Sequence, residues 1–322
     1  MSENAVIKKN ALNFVRQQSA FLIFLVLVAL GSILYSDRFP TLLNFSNMLR
    51  QVSFMGVMSV GVTMVIISGR GGIDLSVGSV FALSGIIVSY IQDKPLYLII
   101  IVPVIASAAM GLINGMAVVK LRIAPFIVTL ATMMGYRGIA YLLTNGGVTR
   151  SISNSGFIYI GRGYLFGVIP IPVIIYVLIV LSAMFIMKYT RFGRNIYAVG
   201  GNSEAAKMMG IKSGPVYIAV YTICGALSGI AGLLLSARMG SGQPVAGIGY
   251  EMTAISAAVL GGTMLSGGIG KMSGTFFGAL VLLLIGNLMN MQGNISSPLQ
   301  NVIMGAILLI VVILQSRVEK TA

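Results

Sequence analysis

The chain has 322 residues, of which 57% are hydrophobic and only 9% charged, and its mean hydropathy is +0.97. Soluble domains carry about a quarter charged residues, so this composition excludes a soluble globular protein. The net charge of +14 does not indicate nucleic-acid binding, because the Lys and Arg residues fall between apolar stretches and form no basic stripe. Membrane lipid is the expected surrounding.

Apolar stretches recur from one end of the chain to the other. A helix needs about 20 apolar residues to cross a bilayer core of about 30 Å. The sequence therefore predicts a single all-α transmembrane domain over residues 1–322, a polytopic helical bundle with about ten spans. The predicted spans are 19–35, 49–68, 76–91, 96–119, 125–145, 168–187, 216–236, 253–265, 273–291 and 299–315. The eighth span is short and contains Gly261 and Gly262, which indicates a half-helix or a strongly kinked helix.

The distribution of basic residues predicts the orientation of these spans. With the N-terminus in the cytoplasm, the cytoplasmic side receives fourteen basic residues: Lys8, Lys9, Arg16, Arg70, Lys120, Arg122, Lys188, Arg191, Arg194, Lys207, Lys212, Lys271, Arg317 and Lys320. The opposite side receives six: Arg38, Arg50, Lys94, Arg150, Arg162 and Arg238. Arg137 falls within the fifth span. Because cytoplasmic loops are enriched in Lys and Arg, both termini are predicted to be cytoplasmic.

Two connections between spans resemble each other. Gly71-Gly72-Ile73, with Gly78-Ser79 and Phe81 after it, recurs as Gly267-Gly268-Ile269 with Gly274-Thr275 and Phe277. Transporters built from two related halves show similarity of this kind. With ten spans, both connections face the cytoplasm and the two halves have the same orientation, which is a parallel repeat. If the eighth span is miscounted, the two halves have opposite orientations, which is an inverted repeat. The third alternative is that the two connections are unrelated Gly-rich turns.

The longest predicted cytoplasmic connection, 188–214, contains the signals of a short amphipathic helix. Asn202 or Ser203 can cap its start, Glu204 suits its positive first turn, and Gly210 can end it. Lipid packing does not explain a helix held outside the membrane, but a membrane domain moved by a soluble motor needs one. An ordinary solvated loop is the alternative.

Three blocks of the sequence are distinctive: Thr190-Arg191-Phe192-Gly193-Arg194 followed by Ala198-Val199-Gly200-Gly201-Asn202-Ser203-Glu204-Ala205-Ala206; Gly72-Ile73-Asp74-Leu75-Ser76-Val77-Gly78-Ser79; and Ala237-Arg238 with Gln243-Pro244, Gly247, Gly249-Tyr250-Glu251 and Leu260-Gly261-Gly262-Thr263. These blocks resemble the permease subunits of monosaccharide ATP-binding-cassette importers. The third block is most similar to ribose permeases. The blocks cover residues 54–280 in the expected order.

The resemblance implies a type II permease architecture like that of the vitamin B12 importer, in the bacterial inner membrane. It implies a dimer with a second permease copy, identical or different, two cytoplasmic ATPase subunits carrying ATP and Mg, and a periplasmic or lipid-anchored sugar-binding protein. Residues 203–210 would be the coupling helix that docks on the ATPase. The residues implied in coupling are Arg191, Arg194, Asn202, Ser203, Glu204, Ala205, Ala206, Lys207 and Gly210.

The chain departs from the family pattern at two places. The segment Ser68-Gly69-Arg70-Gly71-Gly72-Ile73-Asp74 has two residues more than the usual Ser-Gly-Gly-Ile-Asp, which affects the register of the second helix. Many members have Glu-Leu-Asp where this chain has Glu251-Met252-Thr253, so a carboxylate near the external mouth is missing.

Five residues are candidates for a structural or translocation role in the membrane. Asp74 is predicted to cap the helix that begins near Ser76 rather than to contact solute, since a charge in the membrane must be paired or cap a helix. Arg137 is expected to pair with Asp74 or Glu251, or to snorkel to the interface. Tyr250 and Glu251 are expected at the solute entrance, at the contact with the binding protein, or in a structural role.

Other functions have less support from the sequence. An ion-coupled secondary transporter of a small polar solute is the alternative, but the chain has no His, and its seven acidic residues fall in loops or at helix ends. The chain lacks the residues that metal or acid/base catalysis needs, so we expect that it is not an enzyme and binds no cofactor itself. Gly270-Lys271 is not a phosphate loop, because Leu265 and Met272 stand where Gly and Ser or Thr are needed.

Overall fold

The computed structural model describes residues 19–149 and 151–319. Within these ranges the chain forms thirteen helices and one two-stranded hairpin, which confirms the predicted all-α class. The elements are α1 Ser19–Leu34, α2 Leu42–Ile67, α3 Val77–Ile91, α4 Leu96–Lys120, α5 Pro125–Thr144, α6 Ser155–Arg162, β1 Tyr164–Leu165, β2 Ile169–Pro170, α7 Ile171–Tyr189, α8 Arg191–Gly201, α9 Ser203–Met208, α10 Ser213–Met239, α11 Tyr250–Leu260, α12 Met272–Gln292 and α13 Ser297–Glu319. Lys8, Lys9, Arg16, Arg150 and Lys320 of the charge count lie outside the described residues.

Ten apolar helices each overlap one predicted span, which confirms a polytopic membrane protein. Six of them, α2, α4, α5, α7, α10 and α12, are long and apolar enough to cross a membrane, and α1, α3, α11 and α13 contain shorter apolar stretches. At 1.5 Å per residue, α3 is roughly 22 Å long and α11 roughly 16 Å, less than a bilayer core of about 30 Å. The number of crossings stays a prediction.

Helix α2 forms the centre of the bundle. In its most apolar window 89% of the residues are buried, against 17% in α5 and 22% in α4, so these two present most of their surface outward. Helix α10 packs on α2, α3 and α4. Glycines let its backbone approach α4, because a Cβ on Gly111 would overlap the carbonyl oxygen of Tyr221 and one on Gly225 would overlap that of Ser107.

The two similar glycine-rich connections lie at the same end of the bundle. The first repeat loop, residues 68–76, joins α2 to α3, and the second repeat loop, residues 261–271, joins α11 to α12. The N–H of Gly268 in the second donates to the carbonyl of Ile67, just before the first, at 2.9 Å. This placement agrees with a parallel repeat. Helices α8 and α9 lie at this same end.

The second span starts seven residues earlier than predicted, at Leu42 instead of 49. Thr41 caps it, since its Oγ1 accepts the N–H of Asn44 at 3.2 Å. Polar residues in the first turns obscure the apolar pattern, but Asn44 is satisfied by Asn287 of α12 at 2.9 Å. Arg50, which we counted on the external side at the start of the predicted span, therefore lies well inside α2 and is only 8% exposed.

The eighth span is a half-helix and does not continue through its glycines to residue 265 as predicted. Helix α11 ends at Leu260, where Gly261 packs against the backbone of Gly274 and Gly262 has a φ of +88°. That φ lies in the left-handed region, which favours glycine. The sequence left open a kinked helix, and the structure excludes it.

The segment 188–214 is more helical than predicted, because α8 precedes the expected short helix. Thr190 caps α8, since its hydroxyl oxygen accepts the N–H of Gly193 at 3.2 Å. Gly193, Gly200 and Gly201 lower its helix propensity and obscure it in the sequence. The short helix α6, capped by Asn154 through the N–H of Phe157 at 3.0 Å, was also missed.

Candidate functional site

A buried polar cluster lies where the first repeat loop enters α3. Asp74 is 0% exposed, and its Oδ1 accepts the N–H of Ser76 at 2.9 Å and the hydroxyl of Ser76 at 2.6 Å. Asn114 of α4 donates to the same hydroxyl at 2.8 Å. Asp74 thus binds the N-cap residue of α3, Ser76, and accepts none of the N–H groups within the helix itself. The capping role of Asp74 stays a prediction.

The polar cluster lies deep inside the bundle. Asp74 is close to the thiol of Cys224, which lies roughly 16 Å from the start of α10 at 1.5 Å per residue. The backbone carbonyl of Ile73 accepts from Thr129 of α5 at 3.2 Å and from Tyr221 of α10 at 3.4 Å. Helix α3 therefore begins within the membrane domain with a buried first turn, and the residues just before it, Ile73 and Ser76, are held by side chains of three other helices.

The first turn of α3 packs directly on a second broken region, residues 240–249, which precedes α11. A Cβ on Gly78 would overlap the carbonyl oxygen of Gly247 and would lie 2.5 Å from Oε2 of Glu251. The other carboxylate oxygen of Glu251 accepts the N–H of Gly249 at 3.2 Å. The two half-helices α3 and α11 thus meet start to start, with glycine at the contact.

Arg137 of α5 holds the segment 240–249 from the other side. Its guanidinium donates to the carbonyl oxygen of Pro244 and, at 2.7 Å, to that of Ala246. The sequence proposed a pairing with Asp74 or Glu251, or snorkelling. Arg137 interacts electrostatically with Glu251, but its hydrogen bonds go to backbone carbonyls. Tyr250 packs edge-on against Phe81 of α3, with 5.5 Å between ring centroids.

The structure therefore gathers all five predicted membrane candidates around the start of α3. Sequence reasoning missed Asn114, Thr129 and Tyr221, which complete the cluster. An Asn within an otherwise apolar span was the available signal, because polar side chains in membrane helices usually bond to a neighbouring helix. Arg137 and Glu251 bond to backbone groups of the protein, and Asp74 bonds to Ser76 through one of its two carboxylate oxygens.

A second candidate site lies at the end of the bundle that carries α8 and α9, which we call the platform (residues 191–210). Asn202 caps α9, since its Oδ1 accepts the N–H groups of Glu204 at 3.1 Å and Ala205 at 2.9 Å. Gly210 follows the helix with a φ of +81°. The predicted helix 203–210 is present, with Met208 as its last helical residue.

Eight of the nine predicted coupling residues are exposed. They are Arg191, Arg194, Asn202, Ser203, Glu204, Ala205, Lys207 and Gly210. Ala206 is buried and seats α9 on the protein, so it cannot contact a partner directly. Sequence reasoning missed Met208 and Met209, which are 91% and 69% exposed and give the platform an apolar tip.

Within the platform, helix α8 contacts the repeat loops. Tyr197 donates its hydroxyl to the carbonyl oxygen of Gly270 in the second repeat loop at 2.8 Å. Burial raises the pKa of Tyr197, which keeps the phenol protonated and able to donate. The phenol is therefore protonated at physiological pH and can donate this hydrogen bond.

A bundle of apolar helices, with half-helices meeting in its interior and a helical platform at one end, is the architecture of a membrane transport permease. Residues 44–312 match the family described as the permease component of a branched-chain amino acid transport system. No solved structure gives a significant match. The chain belongs to this family of permease components, and it is a transport subunit, not an enzyme.

Three curated relatives cover almost the whole chain. The chain is 44% identical over 303 residues to the ribose import permease protein of Bacillus subtilis, covering 92% of each protein. It is 40% identical over 308 residues to the ribose import permease protein of Escherichia coli, covering 94% of each. It is 35% identical over 316 residues to the L-arabinose transport system permease protein of Escherichia coli, covering 97% of this chain and 95% of the relative. The resemblance to sugar permeases is thus confirmed.

Proposed function

We propose that this permease is the membrane-spanning subunit of an ATP-driven importer of a pentose, with ribose as the first candidate. The observation that carries the proposal is the 44% identity to a ribose import permease over 92% of both chains. Relatives named for L-arabinose and xylose are 35% and 34% identical, and all three sugars are pentoses. The low fraction of charged residues, 9% of the chain, suits a neutral solute with many hydroxyl groups.

Helix α9 of the platform is proposed as the docking site of the ATPase, which would carry ATP and Mg. The segment 188–212 has five basic residues and one acidic residue, Glu204, so an acidic groove on the ATPase would complement it. Met208 and Met209 would fill an apolar pocket within that groove. This assignment places both termini in the cytoplasm of a bacterium and 240–249 near the side of the sugar-binding protein.

The proposed mechanism is alternating access driven from the platform. Closure of two ATPase subunits would displace α8 and α9, and the interface with a second permease copy would change between outward and inward openings. The solute would meet weakly binding walls, so the sugar-binding protein would supply most of the selectivity. Asp74 and Arg137 would hold the half-helices in place without contacting the sugar.

Transport by a reconstituted complex tests the proposal. The permease, its ATPase and its binding protein are placed in proteoliposomes, and uptake of ribose, arabinose and xylose is measured with and without ATP. We expect ATP-dependent ribose uptake, and we expect deletion of 203–210 to abolish it while membrane insertion persists. Uphill transport by the purified permease alone, without nucleotide, would refute the proposal in favour of an ion-coupled transporter.

A further inference from the structure

Four glycines from three separate segments meet where helix α8 of the platform contacts the two repeat loops. We call Gly69 of the first repeat loop, Gly200 of α8, and Gly267 and Gly268 of the second repeat loop the glycine junction. A Cβ on Gly200 would overlap the carbonyl oxygen of Ile67 and would lie 2.7 Å from the N of Gly268. Real Cβ contacts are longer, so only glycine allows α8 to touch both loops at this position.

The contacts at the glycine junction are reciprocal. A Cβ on Gly69 would lie 2.9 Å from the Cα of Gly200, and one on Gly267 would lie 3.0 Å from the carbonyl oxygen of Gly200. Gly69 and Gly267 have φ values of +81° and +94°, which L side chains rarely adopt. Gly200 thus lies between the two loops with backbone on each side and no flexible side chain to absorb a movement.

Both loops lead from the junction to the broken helices. The first continues through Asp74 into α3, and the second joins the end of α11 to the start of α12. The hydrogen bond from Gly268 to Ile67 ties the loops to each other at 2.9 Å, and Tyr197 ties α8 to the second loop at 2.8 Å. A displacement of α8 must therefore move both loops together, since close-packed backbone cannot deform gradually.

We infer that the glycine junction transmits the movement of the platform to both half-helices, with Gly200 as the positioning residue. The inference rests on the proposed function, because it presumes that an ATPase moves the platform. It adds that α9 is only the docking element, and that α8 carries the displacement into the membrane domain. Gly200 acts through the loops and does not contact solute.

A matched pair of glycines provides the test. Gly200 and Gly201 are adjacent in α8, and Ala favours a helix over Gly by up to about 1 kcal/mol at either position. A Cβ on Gly201 meets nothing within 4 Å, whereas one on Gly200 overlaps backbone. In proteoliposomes containing the whole complex, ribose uptake and phosphate release are measured together, which gives the number of solutes moved per ATP hydrolysed.

We expect Gly200→Ala to assemble with the ATPase and hydrolyse ATP, with uptake per ATP lowered about tenfold, a typical coupling factor. Gly201→Ala should match the wild-type ratio. Equal ratios for the two variants would overturn the inference. If Gly200→Ala does not assemble, Tyr197→Phe replaces it: a lowered ratio supports the inference, and an unchanged ratio overturns it. If the wild-type complex shows no ATP-dependent uptake, the proposed function itself has failed.

Discussion

Asp74 allows a test of whether a buried carboxylate serves structure or transport. Replacing it with Ala removes two hydrogen bonds, at 2.9 and 2.6 Å, and leaves the N–H of Ser76 unpaired inside the protein. A lost bond that orphans a buried group costs about 1 to 3 kcal/mol. We therefore expect Asp74→Ala to lower the free energy of unfolding by about 2 to 4 kcal/mol.

Asp74→Asn separates the two roles. The amide oxygen can accept the same two hydrogen bonds, so a capping role predicts a loss below about 1 kcal/mol and nearly normal ribose uptake. Unfolding is followed in mixed micelles with increasing denaturing detergent, and uptake in proteoliposomes. Asp37→Ala is the control, because Asp37 is exposed and its loss should change stability by less than about 0.5 kcal/mol.

The outcome for Asp74→Asn decides between the readings. If this variant unfolds normally but transports no ribose, the charge takes part in transport, and the capping interpretation is refuted. In that case, ribose uptake by the wild type is measured at several pH values. A dependence of this uptake on pH would indicate an ion-coupled step. If Asp74→Ala is as stable as the wild type, the two hydrogen bonds contribute no measurable stability.

Three further changes test the remaining parts of the structure. Gly111→Ala should lower stability by about 1 to 3 kcal/mol, because its Cβ overlaps the backbone of α10, whereas Gly135→Ala, with open space around it, should be neutral or stabilising in the same unfolding assay. Arg137→Met leaves two backbone carbonyls without their donor and should lower ribose uptake several-fold, and Arg137→Lys should restore part of it. Equal uptake by the wild type and both variants would contradict the assigned contacts. Met208→Glu should weaken co-purification of the ATPase about tenfold while the helical circular dichroism is unchanged, and undiminished co-purification would remove Met208 from the docking surface.

The sequence predicted the class, the family and most helices, because these depend on local properties. An apolar run of about 20 residues is recognisable without neighbours, since lipid is its solvent. The cap at Asn202 and the turn at Gly210 are likewise local, and both occur where the sequence predicted them. The resemblance to sugar permeases rested on short blocks, and it is confirmed over nearly the whole chain.

Local reasoning failed where a distant contact decides the structure. The start of α2 at Leu42 depends on the contact between Asn44 and Asn287, 243 residues away. Helix α8 forms despite three glycines, and one of them, Gly200, is needed for its contact with the repeat loops. The partners of Arg137 are backbone carbonyls, which no residue type reveals. A single sequence shows which groups require a partner, because the cost of burying them is intrinsic; which partner satisfies them depends on packing between helices, and only the tertiary structure decides it.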